Sequence, residues 1–181
     1  MATYSYEETA AALGSLCMDF QGLENRLLGL FSAITDKADA RVGAIIGSQL
    51  SFRKLCHVVD AICRYRIQDK DALQALSDVI GKCLQMEQER NTYIHSYYET
   101  IFLGGEGSAV FDRFKQKIKL GKGYSAHHEE HDITKLHSLS TEMNILCERI
   151  DDFVDHLREI GFVLPDPTLT AEILENHCLE D

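Results

Sequence analysis

The chain has 181 residues, of which 45% are hydrophobic and 26% charged, and its formal charge is −11. That length and apolar content suit one folded domain with a buried core and argue against a disordered chain. The acidic balance argues against non-specific nucleic-acid binding over the whole surface, so such a role needs a local basic patch.

Proline occurs only at Pro165 and Pro167, so helices meet few breakers before the C-terminus. The six cysteines (17, 56, 63, 83, 147 and 178) form no C-x-x-C pair. Most lie in apolar helical patterns and read as small buried hydrophobes with free thiols, which suits a reducing compartment. No charged-then-apolar leader and no membrane-length apolar run is visible, so a soluble cytoplasmic protein without membrane attachment is expected.

In chain order, Leu13, Leu16, Phe20, Leu23, Leu27, Leu30 and Ile34 recur at alternating three- and four-residue steps. They predict a long first helix over 6–34 with Glu24 and Asn25 beside the stripe. After a connection at 35–39, Val42, Ile45, Ile46, Leu55, Val58, Val59 and Ile62 predict a second helix. Gly43 and Gly47 weaken its start or permit close helix approach. A short turn at 67–70 leads to a third helix over 71–103, whose first half has a plain apolar face. Counting back from Ile101, that face runs through 98, 94, 91, 87, 84 and 80, which places Asn91 and Glu87 at core positions. Polar groups there cost free energy unless paired. Gly104-Gly105-Glu106-Gly107 ends the helix as a connector.

From Val110 to Leu120 the period changes to two, which predicts a strand with a partly apolar face and a basic one. The basic set is Arg113, Lys115, Lys117 and Lys119. Gly121-Lys122-Gly123 then turns the chain into a second strand near Tyr124. Asp132 caps a last long helix with the stripe Leu136, Leu139, Met143, Leu146, Ile150, Phe153, Leu157 and Ile160. The expected fold is all-α: an up-and-down four-helix bundle over 1–163, with a β-hairpin or extended excursion between helices three and four. Residues 164–181 form an acidic tail with a possible short helix at 170–177.

Late in the third helix the residues read Arg90-Asn91-Thr92-Tyr93-Ile94-His95, then Ser96-Tyr97-Tyr98. With four helices and a long excursion after the third, this stretch resembles the HEPN superfamily, whose members carry an Arg-x(4–6)-His motif. The fold resemblance spans roughly residues 10–160; the motif covers six. The resemblance implies metal-independent RNA cleavage at a homodimer interface, with Arg90 and His95 as catalytic residues and Asn91 positioning Arg90 or the phosphate. The chemistry suits the residue types. An imidazole can take the proton of a ribose 2′-OH, and a guanidinium can stabilise charge on the phosphate. Residues five apart on a helix point about 140° from each other, so one chain's pair need not converge. A composite site between two chains resolves this.

Other readings remain open. Arg90, Asn91 and Glu87 can instead form a structural polar cluster with Glu24 or Asn25, in a non-catalytic helical interaction or scaffold protein. The basic strand suits RNA phosphates, a solvated face, or an acidic protein partner such as an antitoxin or the chain's own tail. His127-His128-Glu129-Glu130-His131 fits the zinc-protease pattern H-x-x-E-H, but that motif needs a helix and no third ligand can be named. No cofactor or metal is therefore expected, and no Gly-rich phosphate loop or nucleophile elbow is present.

Overall fold

The computed structural model describes residues 4–35, 40–102, 109–119, 123–129, 132–160 and 162. It is mainly helical. The elements are α1 (Tyr6–Thr35), α2 (Ala40–Gly47), α3 (Phe52–Arg66), α4 (Lys70–Ile94), β1 (Tyr97–Phe102), β2 (Ala109–Lys119), β3 (Gly123–Glu129) and α5 (Ile133–Glu159). The glycine connector at 104–107, the turn at 121–122 and the acidic tail expected at 164–181 lie outside the described residues. Among the described residues no helix is long and apolar enough to cross a membrane.

The chain divides into two compact units. The first comprises Met1–Phe20 and Met86–Met143. Its α1 segment starts with a reciprocal cap: Ser5 N donates to Glu8 Oε2 at 2.8 Å, and Glu8 N donates to Ser5 Oγ at 3.1 Å. Two otherwise orphaned donors are satisfied at once. Asp132 caps α5 as its sequence position suggests, with Oδ1 accepting from Thr134 N at 2.9 Å and from Thr134 Oγ1 at 2.7 Å. Those bonds hold its carboxyl below the usual carboxylate range. Among the described residues of this unit, Ala12, Leu16, Phe20, Met86, Tyr93, Ile133, Leu136, Leu139 and Met143 are buried hydrophobics.

The strands form one antiparallel sheet in the order β1-β2-β3. Tyr97 pairs Phe114 and Phe102 pairs Ala109, while Phe114 pairs His128 and Lys119 pairs Gly123. The two strands expected from the alternating pattern are thus present. A third, β1, takes the place of the last helical turns expected over 95–103. The helix stops at Ile94 because β-branched and aromatic residues follow in Tyr97, Tyr98, Thr100, Ile101 and Phe102, and these suit a pleated surface. Side chains also satisfy its last carbonyls. Ser96 Oγ donates to Thr92 O at 2.6 Å, and Tyr98 OH donates to Tyr93 O at 3.1 Å.

The second unit comprises Gln21–Gln85 and Asn144–Asp181. Its core contains Leu23, Leu27, Leu30, Ile34, Leu55, Val59, Leu76, Ile80, Leu146, Ile150 and Leu157. The stripes read from α1 and α5 are largely buried as expected, although Leu13 is only half-buried and Ile160 is exposed. Cys56, Cys63 and Cys83 are buried free thiols. Burial pushes Cys63 up to about 12 and Cys83 higher, which keeps both protonated and chemically quiet.

The expected second helix is two helices. Leu50 N bonds to Gly47 O at 2.9 Å in a turn, and Ser51, extended at φ −67 and ψ 153, begins α3. The apolar residues assigned to the start of that helix also face the other way: Val42, Ile45 and Ile46 are exposed. The reason is close packing by the glycines. A Cβ on Gly43 would lie 2.6 Å from Ser32 Cα, and one on Gly47 would strike Leu28 and sit 2.8 Å from Phe31 Cδ1. The glycine face therefore meets α1, and the branched side chains point away. The turn between α3 and α4 is short, as expected. Ile67 N closes α3 on Cys63 O, and Asp69 Oδ1 caps α4 by accepting from Asp71 N at 2.9 Å and Ala72 N at 3.1 Å.

Gly43→Ala must push two backbones apart and is expected to cost about 1–3 kcal/mol. Gly81→Ala, with nothing within 4 Å of the new methyl, is expected to gain about 0.5–1 kcal/mol from helix propensity. Urea unfolding midpoints of the two variants should move in opposite directions.

Candidate functional site

The buried row on α4 is Ala72, Leu76, Val79, Ile80, Cys83, Met86 and Tyr93. It lies beside the row counted from Ile101, because Ile101 and Tyr98 belong to β1 and cannot set the helical register. Continuing from Met86 in steps of four and three gives 90 and 93. Arg90, rather than Asn91 or Glu87, therefore stands where the stripe calls for an apolar side chain.

The fold accommodates that cation in two ways. Its guanidinium carbon lies 4.9 Å from the centroid of the Phe20 ring, so the charge rests on an aromatic face. Nη1 donates to Asn91 Oδ1 at 3.0 Å. Nε is buried without a hydrogen-bond partner among the described residues. An unmet buried donor costs on the order of 1–3 kcal/mol, so this position is held at some expense in stability. Asn25 is exposed and accepts from Gln21 Nε2 at 3.4 Å; Arg90 is ordered by Phe20 and Asn91.

His95 lies one residue beyond α4 and is exposed. Its backbone N still donates to Asn91 O at 3.1 Å, so it continues the last turn. Among the described residues no hydrogen bond or ion pair joins Arg90 to His95. Arg90 lies half-buried against Phe20, and His95 faces solvent from the end of the helix.

Around them is a set of residues that periodicity did not single out. Tyr93 is 3% exposed. The Arg113 guanidinium carbon lies 4.6 Å from its ring centroid, and Lys135 Nζ lies 5.8 Å from it. Lys135 also pairs with Glu89 at 3.5 Å and is raised above its usual value, by Tyr93 first and then Glu89. Arg113 is 5% exposed, and its Nη1 donates to Ser96 Oγ at 3.3 Å. It belongs to the basic set assigned to nucleic-acid contact, yet it is buried against Tyr93 instead of lying on a solvated face. Lys115, Lys117 and Lys119 follow on β2, in register with His127, Ser125 and Gly123. Their side chains lie outside the described residues.

Burial pushes the Tyr98 phenol up to about 12, against the opposing pull of Arg113. It therefore remains a donor to Tyr93 O through neutral pH. A phenol whose pKa is raised by folding contributes stability that is complete below about 10 and is lost as pH rises towards 12. Tyr98→Phe should flatten this alkaline loss, as read from urea midpoints measured between pH 9 and 11.5.

His127, His128 and Glu129 lie in β3, so this part of the H-x-x-E-H pattern lacks the helix its chemistry requires. Glu130 and His131 are outside the described residues. Among the described residues no group of three or more His, Cys, Asp or Glu is placed to hold a metal. The second unit has a cleft of about 540 Å³ lined by Asp69, Asp71, Asp78, Asp152, Phe153 and His156, with Arg149 also present. None of the motif residues lines it, and its carboxylates suit a phosphate ligand poorly. Comparisons of the chain with protein-family models, curated proteins and solved structures find no match.

Proposed function

We propose that this chain is a HEPN-like, metal-independent endoribonuclease acting through Arg90 and His95 at the interface of a homodimer. The observation that carries the reading is Arg90 itself. A half-buried arginine stands in line with the buried row of α4, oriented by Asn91 and lying on Phe20, five residues before an exposed histidine. Packing alone would favour an apolar side chain there, so the guanidinium asks for a functional reason. In this reading α1, α3, α4 and α5 are the four helices of an up-and-down bundle. β1–β3 are the excursion after the motif helix.

His95 is the general base that removes the 2′-OH proton, and Arg90 stabilises the developing charge on the phosphate. His95 lies just beyond the end of α4 and five positions after Arg90, so in this reading the base and guanidinium at one scissile phosphate come from different chains. Lys115, Lys117 and Lys119 supply phosphate contacts along the strand that follows. No cofactor enters this chemistry. The expected setting is cytoplasmic, with RNA as substrate and an inhibitory protein partner of antitoxin type.

A second reading has its own support. The contacts of Arg90 with Phe20 and Asn91 also suit a purely structural arginine in a non-catalytic helical interaction module. One experiment separates the two: cleavage of single-stranded RNA in the presence of EDTA by wild type, Arg90→Ala and His95→Ala, each checked for helicity. The endoribonuclease reading expects cleavage by wild type and a loss of about 10²-fold or more in each variant. No cleavage by wild type, or equal cleavage by all three, favours the interaction module. A sedimentation mass of one chain would remove the composite site.

A further inference from the structure

The turn bearing His95 is held from the sheet, by a residue eighteen positions further along the chain. α4 ends at Ile94, and β1 begins at Tyr97, leaving only His95 and Ser96 between them. Such a link between helix and strand is short enough to be fixed by contacts on either side. Arg113 supplies two of them. Its guanidinium lies over the ring of Tyr93, two residues before His95, at 4.6 Å. Its Nη1 reaches Ser96 Oγ, one residue after His95, at 3.3 Å.

The same contacts converge on the last carbonyls of the helix. Ser96 Oγ donates to Thr92 O while accepting from Arg113. Tyr93 O accepts from Ser96 N at 3.2 Å and from Tyr98 OH at 3.1 Å. Tyr98 is the register partner of Arg113 across β1 and β2, so strand pairing brings the arginine to this point. A planar, permanently charged guanidinium suits the task, since it can stack on a ring and donate in its own plane together.

We propose that Arg113 is the positioning residue for His95: it clamps the two-residue link between α4 and β1 from both sides and so sets where the imidazole stands. The clamp is also why this arginine, first in the basic run of β2, is buried. The idea rests on the reading of His95 as functional, but its physical content is the order of the His95 ring, which can be measured without any activity.

The test uses the full chain labelled with ¹⁵N- and ¹³C-histidine, with the His95 signal assigned from His95→Gln. Wild type is compared with Arg113→Met, Arg113→Lys and Ser96→Ala. Arg113→Met should shift the His95 ring signals towards random-coil values and lower their order, while those of His57, His137 and His156 stay in place. Arg113→Lys keeps the charge but loses the planar fork, and should restore only part of the order. Ser96→Ala removes one contact and leaves the stack, so it should give a smaller change in the same direction. It decides the matter if Arg113→Met fails to fold. If wild type cleaves RNA, the Arg113 variants should lose about ten- to a hundredfold in kcat with little change in KM. A His95 signal that is unchanged in every folded variant would falsify the clamp. A responsive His95 in a chain that does not cleave RNA would retain the clamp and remove the nuclease reading.

Discussion

A guanidinium lying on the face of a buried tyrosine is the contact on which the motif-bearing unit depends. Arg113 on Tyr93 joins β2 to the last turn of α4, and through Ser96 it also grips the link to β1. A charge withdrawn from water this far is costly unless its field and its protons find partners. Here the ring supplies the first and the serine hydroxyl part of the second. Lys135 approaches the same ring from α5 and is tied to Glu89 on α4. Tyr93 thus gathers cations from two different elements at the end of one helix.

Arg90 illustrates the same physics one turn earlier on α4. It stands in the apolar row, rests on Phe20 and is oriented by the neighbouring Asn91. Neither arginine can shed its charge, so both must be accommodated by aromatic surface and hydrogen bonds. The consequence is a helix end rich in oriented positive charge within a chain of formal charge −11. That contrast is the physical argument behind the proposal of phosphate chemistry at this end of α4. The acid-lined cleft of the second unit is less suited to it.

Much of the helical architecture could be read from periodicity. The stripe from Leu16 to Ile34, that from Leu136 to Leu157 and the cap at Asp132 all follow local rules that require no knowledge of neighbours. The alternating segment after Val110 likewise identified a strand from the period of its side chains. What periodicity missed has specific causes. The count along α4 was anchored on Ile101, which belongs to a strand, and this displaced the predicted buried row onto Asn91 and Glu87. The β-branched and aromatic run after Ser96 was the available signal for β1. On α2 the apolar side chains suggested an inward face, but Gly43 and Gly47 permit a closer approach to α1 than any larger side chain. The small residues won the contact, and Val42, Ile45 and Ile46 were left outside.

The sequence by itself determined where α1, α4 and α5 begin, which of their residues repeat at helical spacing and that Arg90 falls late in one of them. These follow from caps and periods, which act over a few residues. Only the tertiary structure decided that Arg90 falls in line with the buried row, that α4 stops at Ile94 and that Arg113 is enclosed instead of solvated. Alternation along a strand assigns Arg113 and the three lysines to one set. Whether a member of that set meets water or an aromatic ring depends on which element packs over that part of the strand, here the end of α4 with Tyr93, and no local pattern contains that information.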